Sequence, residues 1–246
     1  MENNYLFRCS KLSDLMTEPR EKKNLLSTTC QNYCIEAFIN RTYGRWKDFE
    51  NKYTQKGLLV EEEALTMYTL HKNKVFHKND ERISNEFIIG EPDSFIGETI
   101  LEAETIIDTK AKWDLFTFYE TKRNGITKNY YWQMQGYMAL TGAKKAIIAN
   151  CLVNTPNVIV QGLKQSLARK MGLYNNDVTQ DFLDAAEKID QNAIFDDIPM
   201  KERIHEIVID RNDEDIKRLY DRVKECRKWI KENLEAVPEP TELLAR

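Results

Sequence analysis

Much that marks a secreted, membrane or zinc-finger protein is missing from this sequence. No window approaches the roughly 18 consecutive apolar residues needed to cross a bilayer, and residues 1–6 carry neither the basic nor the apolar stretch of an export signal. The expectation is a cytoplasmic protein without a membrane partner. The five cysteines, Cys9, Cys30, Cys34, Cys151 and Cys226, are odd in number and scattered, with no Cys-x2-Cys pair; only Cys30 and Cys34 fall one helical turn apart. They read as buried reduced thiols rather than disulfides or zinc ligands. His71, His77 and His205 include no i, i+4 pair and read as surface or core residues. With 9 Gly and 6 Pro spread along 246 residues, nothing marks a linker, and the chain reads as one domain over 1–246. A formal charge of −4 argues against binding nucleic acid over the whole surface but permits a local clamp. Basic residues do gather at Arg20, Lys22 and Lys23, at Lys110 and Lys112, at Lys122, Arg123 and Lys128, at Lys144 and Lys145, and at Lys164, Arg169 and Lys170. Each group reads equally well as a solvated face.

What is present is a change of hydrophobic period along the chain. The first 80 residues or so read as helical: a short helix with Leu12, Leu15 and Met16 capped by Ser10 or Ser13, a longer one from Thr28 or Thr29 with Tyr33, Cys34, Ala37, Phe38 and Trp46, and, beyond a break at Gly57, a helix over 58–72. From about 85 to 155 the pattern is that of strands. Phe87-Ile88-Ile89 leads into a turn at Gly90 to Asp93, Ser94-Phe95-Ile96 leaves it, and Thr99-Ile100-Leu101 and Thr105-Ile106-Ile107 continue a sheet. A helix over 129–141 ends at Gly142, and 146–153 is a buried strand. Residues 156–198 read as a helical insertion with a stripe of Phe182, Leu183, Ala186 and Ile189. A strand over 203–210 and a helix capped by Asn212, with Ile216, Leu219, Tyr220, Val223, Cys226, Ile230 and Leu234 on its seam, close the chain by about residue 235. The fold class is α/β or α+β, with a central mixed sheet flanked by helices.

The chemistry lies in Asp108-Thr109-Lys110. Alternate strand residues share a face, so Asp108 and Lys110 point together while Thr109 points away. Alone, such a pair reads as an ion pair at a partly exposed strand edge. It gains meaning from Asp93 in the preceding turn, from the Glu61-Glu62-Glu63 run, in which Glu61 shares the stripe of Ala64, Leu65 and Tyr68, and from Gln133 and Tyr137, one turn apart on a later helix. Carboxylates that hold a divalent ion, with a cation that orients water, are what phosphodiester hydrolysis requires.

In this order the segments Gly57-x3-Glu61-x2-Ala64-x3-Tyr68, Gly90-Glu91-Pro92-Asp93, Asp108-Thr109-Lys110 and Gln133-x3-Tyr137 resemble the motifs of the PD-(D/E)XK nuclease superfamily. Within it they resemble those of the lambda-type (YqaJ-like) phage exonucleases of the RecB-like group. The resemblance singles out Glu61 and implies a restriction-endonuclease-like core closed by the strand and helix from Ile207 to Leu234. It implies Mg²⁺ (or Mn²⁺) held by Glu61, Asp93, Asp108 and the Thr109 carbonyl, Lys110 positioning water, and Gln133 and Tyr137 supporting the site. It also implies end-directed hydrolysis of double-stranded DNA, 5′ to 3′, in phage-type recombination or DNA processing. Arg8, Ser10 and Ser13 would bind a 5′-phosphate, and a trimeric ring and a single-strand annealing protein would be partners. An endonuclease or flap nuclease on the same fold, or an inactive DNA-binding recombination module, are the alternatives. Two departures stand out: Asp108 replaces the glutamate usual in lambda-type enzymes, and 155–200 has no counterpart. The cysteines also fall short of the four ligands used by CRISPR-associated iron–sulfur nucleases.

Overall fold

The computed structural model describes residues 5–21, 23–47, 52–173 and 178–236. Residues 1–4, Lys22 of the first basic group, and 174–177 of the expected helical insertion lie outside them.

The largest sheet grows around two strands that are mostly buried on both faces. β6 (Thr105–Ala111) and β7 (Lys145–Cys151) run parallel, from Thr105 beside Lys145 to Ala111 beside Cys151. A parallel pair needs a crossover; helices α4 (Leu115–Asn124) and α5 (Lys128–Thr141) supply it. β5 (Ser94–Ile96) pairs antiparallel with β6, β2 (His77–Lys78) with β5, and β8 (Ile204–Asp210) with β7. A smaller sheet holds β1 (Phe7–Arg8) parallel to β4 (Ile88–Gly90), with β3 (Ile83–Ser84) antiparallel on its other side.

The alternation of β6 and β7 sorts the core into two layers. Ile106 and Ile148 face α1 (Leu12–Leu15), α2 (Thr28–Tyr43), α5 and α8 (Asp213–Ile230), joining Leu12, Leu15, Cys34, Met134 and Val223. Ile107, Ala149 and Cys151 face α3 (Lys52–Lys72), meeting Val60, Ala64, Met67 and Tyr68. A third, small cluster of Phe118, Leu152 and Phe195 lies under α4, while α6 (Asn157–Lys170) and α7 (Gln180–Gln191) pack on each other. Helix ends follow the chemistry of their residues: Ser27, Thr127 and Asn212 accept hydrogen bonds from first-turn N–H groups, and Gly44 and Gly142 take the left-handed conformation that ends α2 and α5. Among the described residues, no helix is long and apolar enough to cross a membrane.

Several local expectations are corrected. Gly57 lies inside α3 instead of before it; one glycine costs a helix only about 1 kcal/mol, less than the burial of Val60, Ala64 and Tyr68 beyond it supplies. The bend from Gly90 to Asp93 does not close a hairpin, because β4 and β5 belong to different sheets. The expected strand at Thr99 to Leu101 is a 3-10 turn over Ile100–Glu102. Neither Ser10 nor Ser13 caps α1, and Trp46 lies beyond the end of α2, exposed. Of the insertion's stripe only Ala186 is buried, and Leu183 is exposed. Helix α4 was not foreseen, although Asp114 and Thr117 form a capping box at its start.

Lys56, 1% exposed, fastens α3 to the ends of β6 and β7. Its ammonium donates to the carbonyls of Lys112 (2.9 Å), Trp113 (3.1 Å) and Val153 (3.0 Å). Burial lowers it to about 8, against the pull of Asp114 and Glu63. Methionine keeps the volume but leaves three carbonyls without this donor, so Lys56→Met is expected to lower unfolding free energy by ~2–4 kcal/mol in urea titrations. A loss under ~1 kcal/mol would mean that relief from burying a charge offsets the lost hydrogen bonds.

Candidate active site

Register builds the site. Ser94 pairs with Ile107 in the antiparallel β5–β6 ladder, and continuing that register by one residue sets Asp93 across from Asp108. The Thr109 N–H donates to Oδ2 of Asp93 at 3.2 Å. Asp108 is fully buried, and Nζ of Lys110 lies 2.6 Å from its Oδ2. Oδ2 of Asp108 meets only this ammonium, and its Oδ1 is buried without a partner. Burial pulls the Lys110 ammonium down, but Asp108 and then Asp93 overcome it, and it is raised. The raised value keeps Lys110 cationic.

Asp93 is raised to about 7, first by burial and then by Asp108, while Lys110 lowers it, Glu61 raises it and the Thr109 N–H lowers it. Glu61 thus joins the site electrostatically, from a helix packed on the face opposite Asp108. Its neighbours do other work: Glu62 is exposed and pairs with Lys78 at 3.2 Å, and Glu63 is exposed and acts on Lys56. Among the described residues, no three of these carboxylate oxygens come within 4.8 Å of one another, a spread that mutual repulsion explains.

α5 covers the face that carries Asp108 and Lys110. Gln133 donates from Nε2 to the Tyr137 hydroxyl at 3.0 Å, and Tyr137 is raised by burial and by Asp108. Gln135 turns elsewhere, bridging the Asp210 carbonyl (2.9 Å) and the Asn212 N–H (2.9 Å), which ties α5 to the start of α8. The glycines of both motifs exist for close approach. A Cβ on Gly90 would come 2.8 Å from both Cys9 Sγ and Tyr137 Cε1, and one on Gly136 would meet Leu12 at 2.5 Å.

Two residues were missed in the sequence. Tyr130 sets its ring 5.7 Å from Nζ of Lys110 and 5.8 Å from Nζ of Lys112; its spacing of 3 and 7 from Gln133 and Tyr137 was the available signal. Asn150 pairs with Lys110 in the β6–β7 register, is fully buried, and leaves its Oδ1 unpartnered. No local pattern marks an asparagine in an apolar strand as part of a site.

The N-terminal residues divide. Arg8 and Ser10 line a cleft of about 630 Å³ together with Arg41, Gly90 and Tyr137, so it adjoins the carboxylate site. Glu36 holds Lys11 at 2.6 Å and Arg8 more loosely at 3.4 Å, which leaves Arg8 the freer cation. Ser13 does not line the cleft; it bonds Asn129.

The donor set of carboxylates and a carbonyl suits a hard divalent cation, and the buried, unpartnered Oδ1 of Asp108 fits one. Asp93 gives the pH signature. An aspartate with its folded pKa above its unfolded value binds more protons when folded between pH 4 and 7, so ionisation costs stability as pH rises. In chelator, the melting temperature is expected to fall across that window by the equivalent of up to ~4 kcal/mol. Asp93→Asn is expected to abolish the fall, and Mg²⁺ to offset it. Parallel profiles for the wild type and Asp93→Asn would remove the basis for the shift.

Neither a protein-family model nor a curated protein sequence matches the chain. Among solved structures it is similar to a phage-related exonuclease from Haemophilus somnus 129PT, at 27% identity over 94% of this chain and 96% of that one, with a TM-score of 0.69. It is also similar to an alkaline exonuclease (LHK-Exo) from Laribacter hongkongensis, at 19% identity over 98% of this chain and 95% of that one, TM-score 0.64. A complex of LHK-Exo with dAMP gives the same identity and coverage and a TM-score of 0.61. The chain thus shares the fold of phage-related and alkaline exonucleases, which supports its resemblance to the phage-type exonucleases of the PD-(D/E)XK nuclease superfamily.

Proposed function

We propose that the protein is a divalent-metal-dependent exonuclease that hydrolyses double-stranded DNA from its ends, 5′ to 3′, in phage-type recombination or DNA processing. The observation that carries the reading is the half-buried Asp93 beside the fully buried Asp108, two carboxylates that repel each other next to the ammonium of Lys110. Asp93, Asp108, Glu61 and the Thr109 carbonyl would hold Mg²⁺ or Mn²⁺. When bound, the metal polarises the phosphate and acidifies a water. Lys110, kept protonated and backed by the Tyr130 ring, orients the attacking water and donates to developing negative charge. Gln133 and Tyr137 fix the helix wall of the site and offer hydrogen bonds to phosphate.

End specificity rests on the adjoining cleft. Arg8 and Ser10 there would receive a terminal 5′-phosphate, the guanidinium exchanging its loose contact with Glu36 for the stronger anion. The resemblance of the solved neighbours supports action at ends, as does the dAMP bound to LHK-Exo, a mononucleotide of the kind that end-directed hydrolysis releases. By the same resemblance the working form is a homotrimeric ring alongside a single-strand annealing protein, since a closed ring is what would tether an acidic protein to its DNA.

Asp108→Ala and Lys110→Ala are expected to lower Mg²⁺-dependent cleavage of linear duplex at least ~10³-fold while keeping a native circular-dichroism spectrum. Wild-type rates in Asp108→Ala would end the proposal, and a covalently closed circle degraded as fast as the linear form would turn it into an endonuclease. Arg8→Ala is expected to lose the preference for 5′-phosphorylated over 5′-hydroxyl ends; an unchanged ratio places the phosphate elsewhere.

A further inference from the structure

Three of the five cysteines, far apart in sequence, meet in the core. Cys30 and Cys34 lie one turn apart on α2, and Cys226 lies on the seam of α8. All three are fully buried, their sulfurs lie within 4.8 Å of one another, and Sγ of Cys30 stands 3.4 Å from Sγ of Cys226. Among the described residues this is the one group that brings three such ligand atoms so close. For four ligands at the usual zinc–sulfur distance, neighbouring sulfurs sit roughly 3.8 Å apart, so the cluster is near that spacing with little movement.

A charged neighbour completes the site. Arg222, one turn before Cys226 on α8, reaches Glu18 with Nη2 and Glu225 with Nε. Its Nη1 is buried and has no hydrogen-bond acceptor. Leaving a guanidinium N–H unpaired in a core is costly, and a thiolate supplies both an acceptor and a countercharge. Contacts with Cys226 and then Cys34 lower the Cys30 thiol, and Arg222 adds to the effect. An apolar core needs none of this; valine or alanine would pack the same helix faces without placing a cation beside them.

We propose that Cys30, Cys34 and Cys226 form a binding site for one thiophilic d10 cation, zinc(II) or copper(I), separate from the nuclease centre. Thiolate ligands select such ions, whereas the carboxylate site suits hard Mg²⁺ or Mn²⁺. The consequence is mechanical. α2 also carries Tyr33, whose hydroxyl accepts from the Arg8 N–H at 2.9 Å, and Glu36, which pairs with Arg8 and Lys11. A metal that pins α2 to α8 would therefore steady the wall of the Arg8 cleft from behind. The assignment stands whether or not the protein is an exonuclease.

The test uses the full-length protein, reduced, stripped by chelator and titrated anaerobically with cobalt(II). A near-ultraviolet sulfur-to-cobalt charge-transfer band is expected to saturate at one equivalent, and zinc(II) or copper(I) to displace it, the stronger competitor identifying the ion. Cobalt on the carboxylates gives no sulfur band, so Asp108→Ala should keep it. Cys226→Ser and Cys34→Ser should abolish it, and Cys151→Ala should retain it. Zinc(II) or copper(I) should raise the melting temperature of the wild type but not of Cys226→Ser. If serine variants fail to fold, the wild-type titration alone decides. A wild type with neither band nor thermal shift overturns the proposal. So does a band that survives in Cys226→Ser, or a Cys30–Cys226 disulfide in a protein that takes up no metal once reduced.

Discussion

The β5–β6 register sets Asp93 across from the fully buried Asp108, and much of the structure is arranged around that unfavourable pairing. Like charges directly across a strand pair destabilise a sheet, and burial magnifies the effect. The ladder persists because Ile106 and Ile107 are fully buried on opposite faces of β6, as is Ile148 on β7. Each such side chain contributes on the order of 1.5–3 kcal/mol, so together they outweigh the repulsion. Lys110 and the Thr109 N–H reduce the remainder without cancelling it, since Asp93 stays raised to about 7. Residual negative potential of this kind is what gives a site affinity for a cation.

α5 answers the same constraint from above. Its residues 130, 133 and 137 turn toward the carboxylates, while Gln135 satisfies backbone groups at the β8–α8 junction and Gly136 lets the helix settle against Leu12 and Cys9. Close approach and chemistry are linked here. Without the two glycines, Tyr137 and Cys9 would have to separate, and the Gln133–Tyr137 hydrogen bond would no longer lie over Asp108.

What could be read from the sequence was what repeats locally. β6, β7, β8, α5 and α8 each declare themselves by period and by caps such as Asn212 and Gly142. What could not be read was anything decided by partners far along the chain. β4 and β5 are separated by three residues, yet β1 claims β4 from some eighty residues away and puts it in another sheet. The Glu61-Glu62-Glu63 run offered only weak discrimination by helical face, and packing on the sheet assigns each glutamate a different neighbour. α4 hid because Phe116 and Tyr119 are exposed, so its apolar residues do not trace a buried stripe. Cys226 stands 196 residues from Cys30, and no spacing rule connects them.

The turn at Gly90 to Asp93, which joins two sheets, couples cleft and carboxylates. Glu91, Pro92 and Asp93 form the joint between the small sheet, which carries Arg8 and Gly90, and the large sheet, which carries Asp108 and Lys110. Asn79 locks that joint: its side-chain amide donates to the Pro92 carbonyl at 2.9 Å, and its N–H to the Asp93 carbonyl at 3.0 Å. Proline fixes one backbone angle in the middle of the connector, and Gly90 before it admits no side chain against Cys9 and Tyr137. A connector so short limits the distance along the chain from Gly90, which lines the cleft, to Asp93 to at most about 10 Å. That spacing is on the scale of one or two nucleotides of backbone, so a strand end seated at Arg8 would present a bond near the terminus, rather than an internal one, to Asp108.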